Sequence, residues 1–288
     1  MDSLLVLIAR PGSQAITANL LDLVRDLGGG APHWLAPGEA AEFEAFPRYA
    51  ELLVELRRHP VDAAIVSIHN RRKRLLLADM DSTMIHQECI DELGVVAGVG
   101  DRIKDITARA MRGELDFNGA LSERVGLLKG LDVAVIERLL KERITFMAGG
   151  RTLIATMKAS GAYTALVSGG FTAFTGPVAA HLGFDENRAN TLLTEQGKLT
   201  GTVGLPILGQ EAKRLALHEL ATARGLTAAD AIAVGDGAND LAMLSDAGLG
   251  VALHAKPHVQ DGSLIRINHG DLTALLYLQG YRHDQFVT

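Results

Sequence analysis

The stretch "RLLLADMDST", residues 74–83, decides how this chain folds. Its apolar run does not alternate with polar residues, which is the pattern of a parallel strand covered on both faces. It then ends abruptly on two aspartates one residue apart, Asp79 and Asp81. The same form recurs in "YTALVSGG" (163–170), "AIAVGDG" (231–237) and "GLGVAL" (248–253). Helical periodicity fills the intervals, at about 150–160, 172–182, 209–224 and 239–246. Strands alternating with crossover helices make an α/β chain with a doubly wound parallel sheet, which binds ligands at the carboxyl ends of its strands. Asp79, Ser168 and Asp236 all fall at such ends.

Outward from this core, two insertions break the alternation. Residues 92–145 read as helical throughout and rich in charge, too long for a loop, so they are expected to form a helical cap after the first core strand. "ANTLLTEQGKLTGTV" (189–203) reads as a hairpin turning at Gln196-Gly197-Lys198. Towards the N-terminus, "LLVLIA" (4–9) reads as a buried strand, 14–27 as a helix, 31–47 as a Pro/Gly-containing connection, 49–58 as a helix and 62–67 as a strand. The expected partition is therefore a small N-terminal α+β accessory domain (1–72), a catalytic core (73–91 and 146–288) and the cap (92–145).

Composition narrows the class. The 288 residues are 48% hydrophobic and 22% charged, the balance of a soluble globular protein. A net charge of −6 gives no general attraction to nucleic acid, and the basic cluster Arg71–Arg74 reads as a solvated linker. The lone cysteine, Cys89, excludes an internal disulfide and a multi-cysteine metal site, and its apolar neighbours point to burial. The N-terminal apolar run is too short for a signal peptide or a membrane span, so a cytoplasmic protein without membrane contact is expected.

Asp79 and Asp81 project to the same side of an extended segment and repel each other unless a cation lies between them. Hard oxygen donors without a His/Cys cluster suit Mg²⁺. Alone, Asp-x-Asp reads more readily as a solvated turn. "VGDGAND" (234–240) decides against the turn, because Asp236 brings a further carboxylate to a strand end, with glycines that let backbone approach a phosphate. "VSGG" (167–170) adds a hydroxyl and N–H groups able to cradle an anion. Lys213 adds a fixed positive charge, although by itself such a residue is more often a solvated helix lysine. His86, His254 and His258 show no ligand spacing.

Asp79-Met-Asp81-Ser-Thr83, Ser168-Gly169-Gly170, Lys213 and Gly235-Asp236-Gly-Ala-Asn239-Asp240 resemble, in order, the four motifs of the haloacid dehalogenase superfamily of phosphohydrolases. "DMDSTMIHQECIDELG" (79–94), "DFNGALSERVGLLKGL" (116–131) and "LVSGGFTAF" (166–174) narrow the likeness to the phosphoserine phosphatase family within it. The resemblance covers about residues 74–280 and implies a Rossmann-like core with a cap. Residues 1–72 occupy the place of a small regulatory-type domain that some members carry.

What the resemblance implies is an Mg²⁺-dependent phosphomonoesterase that forms an aspartyl-phosphate and completes serine biosynthesis. Asp79 would be the nucleophile and Asp81 the general acid and then base. Asp79 and Asp236 would bind Mg²⁺ through side chains and Asp81 through its backbone carbonyl. Ser168, Gly169 and Lys213 would hold the phosphoryl group, and Asn239 the substrate or Lys213, with Asp240 behind them. Arg124 offers a fork for the substrate carboxylate and Glu88 an acceptor for its ammonium. Each of these two, alone, also reads as a surface helix charge. Phe117 and Met84 would line the apolar side of the pocket, with core packing as the other reading. The alternatives are a relaxed small-molecule phosphatase or phosphotransferase, or a non-catalytic binding protein. The expected partner is small-molecule phosphoserine, and the sequence is compatible with a homodimer.

Overall fold

In the computed structural model, which describes residues 2–111 and 114–288, two sheets carry the chain. The strands are β1 (Ser3–Ala9), β2 (His33–Ala36), β3 (Ala40–Glu44), β4 (Val61–Ser67), β5 (Leu75–Ala78), β6 (Tyr163–Phe171), β7 (Glu186–Asn190), β8 (Leu192–Glu195), β9 (Lys198–Val203), β10 (Ala231–Gly235), β11 (Leu249–Leu253) and β12 (Ile265–Ile267). The larger sheet has six strands in the order β12-β11-β10-β5-β6-β7, and every pair in it is parallel.

The unalternating run in β5 has its expected cause. Leu75 and Leu77 enter one hydrophobic cluster, with Ala216, Leu217 and Leu220, while Leu76 and Ala78 enter another, with Leu153 and Ile154. Helices cover both faces, so every residue of the strand is buried. From β5 the chain passes to β6 on one side and later to β10 on the other. The carboxyl ends of these three strands therefore meet at a switch of strand order, the place where such sheets bind their ligands.

Between β5 and β6 run the helices Cys89–Val96, Gly100–Met111, Phe117–Gly126 and Ala134–Glu142, and then Gly150–Ala159, which leads into β6. Of the segment expected to be helical throughout, residues 112 and 113 lie outside the described residues. The β8–β9 hairpin turns through Gln196 (φ 50°) and Gly197 (φ 77°), two successive left-handed residues that match the twist of its strands. It fastens the helices to the core: Gly130 N donates to Leu199 O, and Leu199 N to Leu131 O, each at 2.8 Å.

The smaller, antiparallel sheet has the order β2-β3-β1-β4. Leu5 and Leu7 of β1 face its own helices, Ala18–Asp26 and Tyr49–Leu56, whereas Val6 and Ile8 pack into the main core. Asp62 of β4 makes the junction polar and specific, accepting from the N–H groups of Asn268 (2.7 Å), His269 (2.9 Å) and Gly270 (2.7 Å). Among the described residues no helix is long and apolar enough to cross a membrane.

Four strands differ from the sequence reading. The 31–47 connection contains β2 and β3, a hairpin around Pro37-Gly38, and the start of the 189–203 hairpin belongs instead to β7 at the sheet edge. β12, three residues long, had no signal of its own. The first helix begins at Ala18, where the Thr17 hydroxyl caps Leu20 N, rather than at residue 14.

Candidate active site

Asp79 follows β5 immediately, and its N–H still joins the ladder by donating to Val234 O at 3.0 Å. The chain then coils tightly, with the N–H groups of Met84 and Ile85 both reaching Met80 O and Ser82 held at φ 55°. That turn carries the Thr83 hydroxyl to Asp236, donating to Oδ1 at 3.1 Å across 153 residues of chain. Asp236 comes from the adjacent strand end, just past β10.

Beneath them lies a buried ion cluster. Lys213 Nζ is 2.7 Å from Asp79 Oδ1 and 2.6 Å from Asp240 Oδ1. Asp240 Oδ2 accepts from Gly237 N at 3.0 Å. A Cβ on Gly235 would come within 2.3 Å of Asp240 Cγ, so only glycine lets this carboxylate tuck under the strand end. Carboxylate oxygens of Asp79, Asp236 and Asp240 all lie within 4.8 Å of one another. Desolvation, and then the charges of Asp79, Asp240 and Glu88, push Asp236 up to about 7. Desolvation and Asp79 raise Asp240 to about 6 against the pull of Lys213. Burial works against the Lys213 charge, but Asp240 and Asp79 more than offset it and hold the ammonium well above its ordinary range. Three carboxylates against one ammonium leave an excess of negative charge on hard oxygens, an arrangement suited to a divalent cation.

Asp81 is different. The residue as a whole is partly exposed, yet its Oδ1 is buried and has no hydrogen-bond partner among the described residues. Burial first, then Glu88 and Asp79, drive its carboxyl well above the usual range, with Cys89 pulling weakly the other way. Such surroundings favour the protonated carboxyl over the carboxylate. Its second oxygen lies against the "VSGG" segment, 3.2 Å from where a Gly170 Cβ would stand.

Glu88, at the start of the helix Cys89–Val96, accepts from the Ser82 hydroxyl at 2.7 Å and is raised mainly by burial. Arg124, on the helix Phe117–Gly126, anchors Nε on Ala120 O at 3.2 Å. Burial lowers its pKa, while the fields of Asp91, Glu88 and Asp81 favour its charge. One cation and one anion from outside the sheet thus look towards Asp81.

Ser168, Gly169 and Gly170 form a bulge at the end of β6, where Ser168 Oγ accepts from Gly170 N at 2.9 Å. The Phe117 ring covers Gly169, 3.1 Å from a Cβ there, and Asn239 Nδ2 lies at 3.8 Å from the same point. The structure thus gathers Asp79, Asp81, Glu88, Phe117, Arg124, Ser168, Gly169, Lys213, Asp236, Asn239 and Asp240 about the carboxyl ends of β5, β6 and β10. Met84 is not among them: it is fully buried with its Cε against Gly150, in the core. Sequence reasoning gave no role to the hydroxyls of Ser82 and Thr83 or to Asn190. The two hydroxyls sat within a recognised motif, whereas Asn190 carried no signal.

The sequence matches the haloacid dehalogenase-like hydrolase family over residues 76–245, which takes in every motif from Asp79 to Asp240. The chain belongs to the haloacid dehalogenase-like hydrolases. Within this family it is 38% identical to the phosphoserine phosphatase of Streptomyces coelicolor over 294 aligned positions, covering 98% of this chain and 72% of that one. A crystal structure of a haloacid dehalogenase family hydrolase from Salmonella enterica serovar Typhi superposes with a TM-score of 0.86 at 30% identity, over 96% of this chain and 98% of that one. A phospho-aspartyl intermediate analogue of phosphoserine phosphatase superposes with a TM-score of 0.66 at 41% identity, over 71% of this chain and 98% of that one. The first of these structures spans the small antiparallel sheet as well, so the two-sheet arrangement is shared with another hydrolase of the family.

Proposed function

We propose that this hydrolase cleaves O-phospho-L-serine to L-serine and phosphate by way of an aspartyl-phosphate on Asp79. The observation that carries the reading is the neighbourhood of two unlike carboxyls. Asp79 has its Oδ1 engaged by Lys213 and by Met80 N, and Asp81 has one buried oxygen, Oδ1, without a hydrogen-bond partner among the described residues. The first suits a nucleophile with one oxygen committed, and the second suits an acid awaiting a partner.

Asp79 Oδ2 attacks phosphorus while the bond to the serine oxygen breaks, and Asp81 gives its proton to that oxygen. Asp81, now a carboxylate, takes a proton from water. The resulting nucleophile breaks the Asp79–phosphorus bond, releasing phosphate and restoring both acids. Lys213, Ser168, Asn239 and the backbone at Gly169 carry the phosphoryl oxygens. Arg124 takes the substrate carboxylate and Glu88, oriented by Ser82, takes its ammonium.

The donor set fits Mg²⁺: Asp79, Asp236 and the Asp81 carbonyl would hold it, with Asp240 behind them engaged by Lys213 and Gly237 N. When bound, the ion neutralises the acidic cluster and stabilises charge on the transferring group. In this reading residues 73–91 and 146–288 form the core, 92–145 the cap that excludes water, and 1–72 an accessory domain. Phosphate release from a panel of phosphorylated metabolites, with and without EDTA, tests it. Selective, metal-dependent turnover of phosphoserine that Asp79→Asn abolishes is expected. Equal turnover of many esters would leave only a general phosphatase.

A further inference from the structure

We infer that Asn190 is a positioning residue that locks the phosphate-cradling bulge to the start of the Lys213 helix, and so sets both halves of the site and the seat of the cap. The inference rests on the phosphatase reading above for its kinetic consequence, but its structural basis is independent.

Between the pairs Val167–Arg188 and Phe171–Asn190, three residues of β6, Ser168-Gly169-Gly170, stand opposite the single Ala189 of β7. The extra residues leave the ladder, as in any bulge, and their backbone groups need other partners. Asn190, at the end of β7 and 2% exposed, supplies one: Nδ2 donates to Gly169 O at 2.9 Å. The same amide reaches across to the segment before the Lys213 helix. Nδ2 donates to Leu208 O at 3.1 Å, and Oδ1 accepts from Leu208 N at 2.7 Å. Two backbone acceptors and one backbone donor are met by one side chain, a set that a carboxylate, having no donor, cannot serve.

The two segments so joined bear on the same chemistry. One holds Ser168 beside Asp81, and the other leads through Gly209 into the helix Gln210–Thr222, one turn before Lys213. They also share a cover. A Cβ on Gly169 would stand 3.1 Å from the Phe117 ring, and one on Gly209 would stand 3.0 Å from it. Phe117 therefore rests on two bare glycines whose spacing Asn190 fixes.

The test uses the full chain with Asn190→Asp and, should that variant not fold, Asn190→Ala, both assayed well below their unfolding temperatures. With phosphoserine and with p-nitrophenyl phosphate, kcat is expected to fall about 10–100-fold while KM for phosphoserine changes less than about threefold, because Glu88 and Arg124 do not touch Asn190. Amide hydrogen exchange is expected to quicken together in residues 167–171 and 207–213, with the rest of the large sheet unchanged. A kcat close to wild type, or exchange that rises in one segment alone or uniformly through the chain, would overturn the inference. So would failure of both variants to fold, which would make Asn190 a residue of the fold alone. Wild-type protein that hydrolyses the aryl ester but not phosphoserine defeats the substrate reading and leaves this inference to be decided on the aryl ester. Wild-type protein inactive on both leaves it to be decided by exchange.

Discussion

Lys213 Nζ lies 2.7 Å from Asp79 Oδ1, and both side chains are shut away from water. A pair of this kind is costly to break from one side, because the partners left behind are buried charges without compensation. Lys213→Met leaves Asp79 and Asp240 facing each other. In EDTA its unfolding free energy, from urea titration, is expected to fall by about 3–5 kcal/mol. The double variant Lys213→Met/Asp240→Leu should regain most of that stability and none of the phosphatase activity. A single variant as stable as wild type would show that the cluster is not held by the ammonium.

Asp236 sets a pH dependence of the metal-free protein. Its pKa rises from 3.8 to about 7 on folding, so the folded state binds a proton that the unfolded chain has released. The stability this contributes is complete below 3.8 and is lost as pH climbs through about 7. In EDTA, wild type should therefore lose stability over that interval relative to Asp236→Asn, which cannot titrate. The same proton competes with a cation, so Mg²⁺ binding measured by calorimetry should weaken below about 7 and release protons on binding. An unchanged difference between the two proteins across the interval counts against it.

Asp81→Asn separates the two proton transfers. Loss of the acid should lower kcat for phosphoserine by about 10²–10⁴-fold. An aryl phosphate, whose leaving group needs no proton, should still phosphorylate Asp79. Stopped-flow measurement should then show a burst of phenolate followed by slow turnover, because the water step still lacks its base. A variant equally slow in both phases would place the acid elsewhere.

Arg124→Ala reads substrate choice. The guanidinium lies in a half-buried place, within the fields of Glu88 and Asp81. Removing a charged hydrogen-bonding group of this kind should cut kcat/KM for phosphoserine by about 10–100-fold. Turnover of p-nitrophenyl phosphate should change by less than about threefold. Equal losses on both substrates would make Arg124 a packing residue.

Much of this was legible in the primary structure, for a physical reason. Parallel strands buried on both faces read as unbroken apolar runs, so β5, β6, β10 and β11 declare themselves, and the acids at their ends declare the site. The strands that escaped lack that signature. β7 reads "ENRAN", polar because it lies at the sheet edge, and β2 and β3 are short and joined by a Pro-Gly turn. The motif acids were visible because they are charges in apolar settings. Asn190 was not, because an asparagine that satisfies distant backbone groups looks in one dimension like any loop asparagine. Met84, which reads either as pocket lining or as core, takes the second place: the turn's coil carries it into the core.

The glycines under the site have a consequence for anyone who wishes to redirect this hydrolase. At 235 a single added carbon would collide with Asp240, and at 169 and 209 it would press on the Phe117 ring, so the floor is written in bare main chain and leaves little to recut. A change of ester would have to be carved from above, in the helices that bring Glu88, Phe117 and Arg124. The machinery for breaking the bond and the machinery for choosing it would then vary separately, like a fixed anvil beneath interchangeable dies.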